Sequence, residues 1–195
     1  MTDATTPRAQ PNASGDILTG IWATLSRGVA DTKHDWHWPV LATVKSSASG
    51  PSSSTRVVVL RAFNAANRLI EIHSDSRAAK IAELQTGKAS VLFYDHRART
   101  QLRVEAHATV SINNSISQAA WAKLPEHGRT QYLGNEAPGS PLTNQLTYGT
   151  TSYFAVIQLK IESLDWLVLA RDGHKRMEFF WDDQTNAFTA TTLVP

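Results

Sequence analysis

The sequence predicts a mainly β protein in which six or seven largely antiparallel strands, flanked by helices, close into a barrel. Three observations lead there. Short apolar or alternating segments recur from residue 40 to the C-terminal end, divided by turn-forming residues. Most follow one another without a long helical pattern between them, which favours antiparallel neighbours over parallel crossovers. The 195 residues, 42% of them apolar, are enough for one core, and closing a sheet removes its exposed edges.

Residues 1–15 are polar with two prolines and read as a disordered tail ahead of a single domain over 16–195. Ile17, Leu18, Ile21, Trp22, Leu25 and Val29 follow helical spacing, with Asp16 as N-cap. "DTKHDWHWP" is a loop whose Trp36 and Trp38 are expected to cover one barrel end, and "VLATVKS" is a strand. "SSASGPSSS" (46–54) reads as a turn without helix or strand character. "STRVVVLRAF" (54–63) is a second strand and "RLIEIHS" a third, so the first half is a meander. "SRAAKIAELQTG" (76–87) is a short helix with apolar Ala78, Ile81, Ala82 and Leu84, stopped by Gly87.

The strands "KASVLFYD" and "TQLRVEAHATV" are joined by "HRAR". A helical stretch spans 115–133, interrupted near Pro125, and "GNEAPGSPLTNQ" is a loop. "YFAVIQLKIESLDWLVL", "RMEFFWDD" and "AFTATTLV" supply the last strands.

Composition removes several chemistries. Without cysteine there is no disulfide, thiolate–zinc site, iron–sulfur cluster or thiol nucleophile. No apolar run approaches the roughly 18 residues of a membrane span. The first residues have neither a basic start nor an apolar core, so a cytoplasmic protein is expected. A net charge of +2, from 19 basic and 17 acidic residues, is too small a bias to imply nucleic acid. Functional charge must be local.

Four constellations supply it. Arg56 and Arg61 close the aliphatic run Val57–Leu60; an odd spacing puts them on opposite faces of a regular strand, reaching solvent or holding an anion. Arg77 and Lys80, at i and i+3 near a helix start, with Ser74 and Ser76 beside them, suit a phosphate. Gln101, Arg103 and Glu105 share one strand face opposite Leu102, Val104 and Ala106, and the Gln101 amide can pair with a heterocycle edge. His174 and Arg176, two apart, share a strand face suited to an anion.

Other motifs are weaker. Asp31, His34, Asp35 and His37 make a poor metal signature in a loop, and no metal is expected. "YDHRARTQLR" mixes basic and aromatic residues as single-strand nucleic-acid barrels do, without a continuous basic groove elsewhere. Neither G-x-G-x-x-G nor a P-loop occurs.

In order, "RVVVLR", "SRAAK", "SVLFYDHRARTQLRVEA", "GHKRMEFFW" and "ATTLVP" resemble the pyridoxamine 5'-phosphate oxidase family, most closely its related FMN-binding branch. The resemblance implies a split β-barrel homodimer with FMN at each of two sites between subunits. It implies that Arg56, the backbone of Val57, Val58 and Val59, and Arg61 line the cofactor. It also implies that His73, Ser74, Arg77 and Lys80 hold its phosphate side, and that Gln101, Trp166 and Arg176 face its ring. Substrate contacts fall to Arg61, Arg129 and His174. Trp121 stands where the oxidases have a tyrosine, and Arg129 is adjacent to Thr130, so the clamp for a phosphorylated vitamer is altered or absent. The implied activity is hydride transfer from a small substrate to flavin. A flavin-binding protein without turnover and a nucleic-acid-binding barrel are the alternatives, and no general base is assigned.

Overall fold

The computed structural model describes residues 13–142, 145–171 and 173–195. Of the tail expected over residues 1–15, residues 1–12 lie outside them, and 13–15 are not tail but the start of the first helix. Helix α1 spans Ala13–Ala30, so Asp16 sits in its first turn instead of capping it. Ile21 and Leu25 enter the core, and Trp22 packs against Phe63 and Phe188 at ring-centre distances of 5.2 and 5.9 Å.

Strands β1 (Val40–Ser47), β2 (Gly50–Val57), β3 (Leu60–Asn64), β4 (Leu69–Asp75), β5 (Lys88–Asp95) and β6 (Thr100–Ile112) are followed by β7 (Phe154–Val168), β8 (Lys175–Asp182) and β9 (Ala187–Leu193). Helices α2 (Ala79–Glu83), α3 (Ser115–Lys123) and α4 (Glu126–Thr130) flank them. Asn114 caps α3 through a reciprocal bond pair with Ser117, and Pro125 ends that helical stretch and opens α4. Trp36 is buried 5.3 Å from Phe93, while Trp38 is half exposed, so only the first tryptophan does the covering expected of both.

The strand order is β2-β1-β5-β6-β7-β4-β3, every pairing antiparallel, with β8 and β9 added beside β7. β2 and β3 end this path, yet only Val58 and Val59 separate them in the chain. A flat sheet would set them about 29 Å apart at ~4.8 Å per strand, whereas so short a link spans roughly 10 Å. The sheet therefore curls until its ends approach. β2 and β3 stay unpaired with each other, so the barrel is split, as the resemblance implied, and not the closed one that the run of strands alone suggested. β7 divides the sheet as well. Phe154–Lys160 pairs with β4, Ser163–Val168 pairs with β8, and the register against β6 shifts between these halves.

Two further expectations fail for physical reasons. The aliphatic run is not one strand. It breaks at Val58–Val59, where the Val58 N–H bonds the Pro39 carbonyl at 2.9 Å, which adds one strand to the eight segments quoted above; the described residues thus form nine strands, more than the six or seven expected. Residues 46–54 are not a formless turn but the tip of the β1–β2 hairpin, turning at Ala48–Ser49. Their serines hide this because neither face is buried, and backbone pairing, helped at the tip by bonds from Ser47 Oγ to Ser49 Oγ and the Gly50 carbonyl, holds the arm.

Candidate functional site

Three strands and α2 build a cationic corner at one end of the barrel. Arg56 lies opposite Leu41, on the inward face, and its guanidinium donates to the Thr43 and Ser54 hydroxyls and to Glu83 Oε2 at 2.7 Å. Ser74 shares the inward face of β4 with Ile70 and Ile72. Lys80 Nζ donates to Ser74 Oγ at 3.2 Å and makes no ion pair among the described residues. Burial, and then the Arg56 charge, lower the Lys80 pKa from its ordinary value. Burial pushes Glu83 upward, but hydrogen bonds from Thr43 and Arg56 outweigh it and hold the carboxyl below its usual range. Arg56 and Glu83 cancel, which leaves the Lys80 ammonium without an ion-pair partner among the described residues, beside the Ser74 hydroxyl. Val59 lies outside both ladders and makes no backbone–backbone hydrogen bond, so its peptide groups are open to a ligand.

Arg77 does not join that corner. Helix α2 starts at Ala79, so Arg77 and Lys80 share no helix face. Asp75 accepts from Arg77 Nε at 3.1 Å and from Nη2 at 2.7 Å; the carbonyls of Gly134, Asn135 and Glu136 take further bonds at 2.9, 3.3 and 3.1 Å. The guanidinium also lies 3.4 Å over the Tyr153 ring. Its job here is to fasten the segment after α4 to the end of β4.

A second group forms on the outer face. Tyr94, Gln101, Leu167 and Arg176 are direct cross-strand neighbours on β5, β6, β7 and β8. The alternation expected on β6 holds: Leu102, Val104 and Ala106 are buried, Arg103 and Glu105 exposed. The Gln101 amide makes no side-chain hydrogen bond among the described residues, whereas Arg176 binds Asp165 through Nε at 3.1 Å and Nη2 at 2.8 Å. Two expected members are elsewhere. Trp166 pairs with Leu102, so it points to the opposite face and lines a cavity of about 240 Å³ with Ile21 and Trp36 beneath α1. His174 is exposed and precedes β8, so it shares no strand face with Arg176.

The third group lies between α3 and the outward side of β3 and β4. A cavity of about 420 Å³ there is lined by Arg61, Glu71, His73 and Lys123 over an apolar floor that includes Ile116 and Leu124. His73 Nε2 lies 3.0 Å from Glu71, its ring is edge-on to Phe154, and its Nδ1 is buried without a partner. The chain break thus sends Arg56 to the barrel end and Arg61 to this cavity. Burial raises the Tyr132 pKa against the opposing effect of neighbouring Arg61. Arg129 is not available to a substrate in this arrangement. It donates to the Trp121 and Ala122 carbonyls at 3.2 and 3.0 Å and closes the C-terminal end of α3.

Sequence reading missed Glu83 and Asp165. Glu83 follows Lys80 by three residues, a spacing that could have flagged it. Asp165 carries no such local signal, because its partners come from two other strands. Among the described residues no helix is long and apolar enough to cross a membrane.

Comparison with known proteins agrees with this layout. Residues 20–112 match the family described as pyridoxamine 5'-phosphate oxidase, FMN-binding domain. No curated protein matches the sequence. Among solved structures, the chain is similar to a pyridoxamine 5'-phosphate oxidase-related, FMN-binding protein from Nostoc punctiforme, with TM-score 0.73 and 22% identity over 91% of this chain and 96% of that one. It is also similar to PhzG from Burkholderia lata, solved with tetrahydrophenazine-1-carboxylic acid, with TM-score 0.72 and 19% identity over 100% of this chain and 99% of that one. Arg56, Lys80 and Gln101 all fall inside the segment that matches the FMN-binding domain family of the pyridoxamine 5'-phosphate oxidases, on a barrel of the same fold as these two structures.

Proposed function

We propose that this chain binds FMN in sites built from two copies of itself and acts as an FMN-dependent oxidoreductase on a small substrate without a phosphate. The observation that carries the reading is the corner of Arg56, Ser74 and Lys80, where a half-buried ammonium lacks a counter-ion. A phosphate supplies that charge, and charge-assisted contacts of this kind are the strong ones. Arg77, spent on Asp75 and three carbonyls, does not share the task.

The two-chain arrangement follows from direction. The phosphate corner faces inward at the barrel end, while Gln101 and Arg176 lie on the outer face. One copy does not turn both toward a single ligand, so the ring-facing pair is assigned to the partner. That outer face also carries Val57, Tyr94 and Phe180, which are 62%, 46% and 49% exposed, so nothing among the described residues covers them. Such a face suits an isologous two-fold interface.

When bound, FMN would accept a hydride from the substrate and pass the electrons to an acceptor. The chain's own residues orient the partners. Arg61 and Lys123 bring positive charge to the cavity beneath α3, and His73 and Glu71 form a hydrogen-bonded pair on its wall. With Arg129 engaged by α3, a substrate phosphate has no cage there, and a less anionic molecule fits better.

The test is reconstitution with FMN followed by absorbance titration and turnover with a panel of substrates. Tight, stoichiometric FMN binding, weaker FAD binding, and slow or undetectable oxidation of pyridoxamine and pyridoxine 5'-phosphates are expected. Protein that holds no flavin would overturn the reading. Flavin binding without turnover on any substrate would reduce it to a binding role.

A further inference from the structure

Asp165 sits where two arginines from different strands converge. It lies directly across from Arg103 on β6, and Arg176 on β8 reaches it diagonally. Arg103 Nε donates to Oδ2 at 3.1 Å, and its Nη2 binds the same oxygen. Arg176 contributes Nε to Oδ1 at 3.1 Å and Nη2 to Oδ2 at 2.8 Å. The Asp165 side chain is 9% exposed, against 49% for Arg103 and 29% for Arg176. The carboxylate is therefore covered by two guanidinium groups that keep open edges toward solvent.

Glu178, directly across from Asp165 on β8, is a second carboxylate beside the two arginines and completes a four-charge cluster. The cluster lies next to Gln101, two residues before Arg103 on the same strand face, and next to Leu167, which stands between Gln101 and Arg176. An ion pair needed only for stability would be complete with one arginine. The second arginine brings a guanidinium up to Leu167, the neighbour of Gln101, on the face assigned above to the flavin ring.

We propose that Asp165 is a positioning residue of the flavin site, fixing Arg176 beside Gln101 and, with Arg103, setting the charge presented to the ring. The inference rests on the FMN reading. Two-electron reduced FMN carries more negative charge on its ring than the oxidised form near neutral pH, so the patch charge biases which form binds tighter. Asp165→Asn makes that charge more positive by one and is expected to favour the reduced form on the order of tenfold, a shift of about +30 mV for a two-electron couple. Arg103→Gln makes it less positive by one and should move the potential by a similar amount the other way. Asp165→Glu keeps the charge and should stay near wild type.

The potential of bound FMN is measured for all four proteins by dye-coupled reduction, with the melting temperature recorded alongside. Asp165→Asn and Arg103→Gln each break the pair, so both should lower the melting temperature while they move the potential in opposite directions. A purely structural role does not produce opposite signs. Potentials that stay put or move together overturn the assignment of Asp165. If Asp165→Asn does not fold, an Arg103→Gln potential equal to wild type overturns it as well. Wild-type protein that holds no FMN overturns the FMN reading itself, and the two failures are distinct.

Discussion

Lys80 donates to the Ser74 hydroxyl at 3.2 Å, and no carboxylate among the described residues pairs with its ammonium. Burial and the neighbouring Arg56 lower its pKa, so the charged form is less favourable in the fold than in the unfolded chain. A basic group with a depressed pKa costs stability at pH values below its folded pKa, and that cost fades as the pH rises through it. Lys80→Met is therefore expected to stabilise the flavin-free protein by about 1 kcal/mol, or ~2–4 °C in melting temperature, while weakening FMN binding by about tenfold or more. Calorimetry with and without FMN measures both. A destabilised variant with unchanged affinity would contradict the corner's assignment.

Arg77→Ala should act on stability first. It strips Asp75, itself 7% exposed, of its partner and frees the carbonyls of Gly134, Asn135 and Glu136. A loss of about 2–3 kcal/mol is expected, with faster amide exchange across 134–136 and a smaller effect on FMN affinity than in Lys80→Ala. Hydrogen exchange read by mass spectrometry separates this from a direct phosphate role, in which affinity falls and exchange does not change.

Mixing tests the two-chain site. Lys80→Ala damages the phosphate corner and Gln101→Leu the ring side, so each homodimer has two impaired sites. A mixed dimer of the two variants has one intact site and one doubly damaged site. Co-expressed and separated by different tags, it should bind about half the flavin of wild type at near-wild-type affinity. Recovery no better than in either homodimer would place both residues in one chain's own site.

Acid should loosen the sheet through Asp165. Burial raises its pKa, but hydrogen bonds from Arg176 and Arg103 reverse this and hold the carboxyl below the ordinary range. A carboxyl with a depressed folded pKa contributes stability above the unfolded value, near ~4, and loses it as the pH falls through the folded one. The wild-type melting temperature should drop more between about pH 5 and pH 3 than that of Asp165→Asn, which lacks this titration. Equal slopes would remove Asp165 from the acid response.

The parts that sequence made legible are those carried by regular periodicity. Alternation on β6 assigned Gln101 and Arg103 to the exposed face because Leu102, Val104 and Ala106 are core residues. Trp166 was misplaced because its side follows from pairing with Leu102, and register between strands 64 residues apart leaves no mark on either strand alone. Arg77 looked like a phosphate ligand until Asp75 and the 134–136 carbonyls, brought in by the fold, took its donors. The break at Val58–Val59 was hidden in a run of aliphatic residues that reads as continuous. Arg56 and Lys80, by contrast, lie close enough for the Arg56 charge to act on Lys80, though their charge balance depends on Glu83.

The two-residue link between β2 and β3 has a consequence for how the chain reaches its native state. The strands it joins sit at opposite ends of the ladder, so they cannot both dock until β1, β5, β6, β7 and β4 stand between them. Those strands come from both halves of the chain, and β7 lies about eighty residues beyond β4, its neighbour. Contact order is accordingly high, and folding belongs in the slow, millisecond-to-second range of non-local β topologies. The last event is the seating of this link. The residues around it, from Arg56 to Arg61, are therefore ordered only once the barrel is whole, and a nascent chain released before β7 is made has no place to put them.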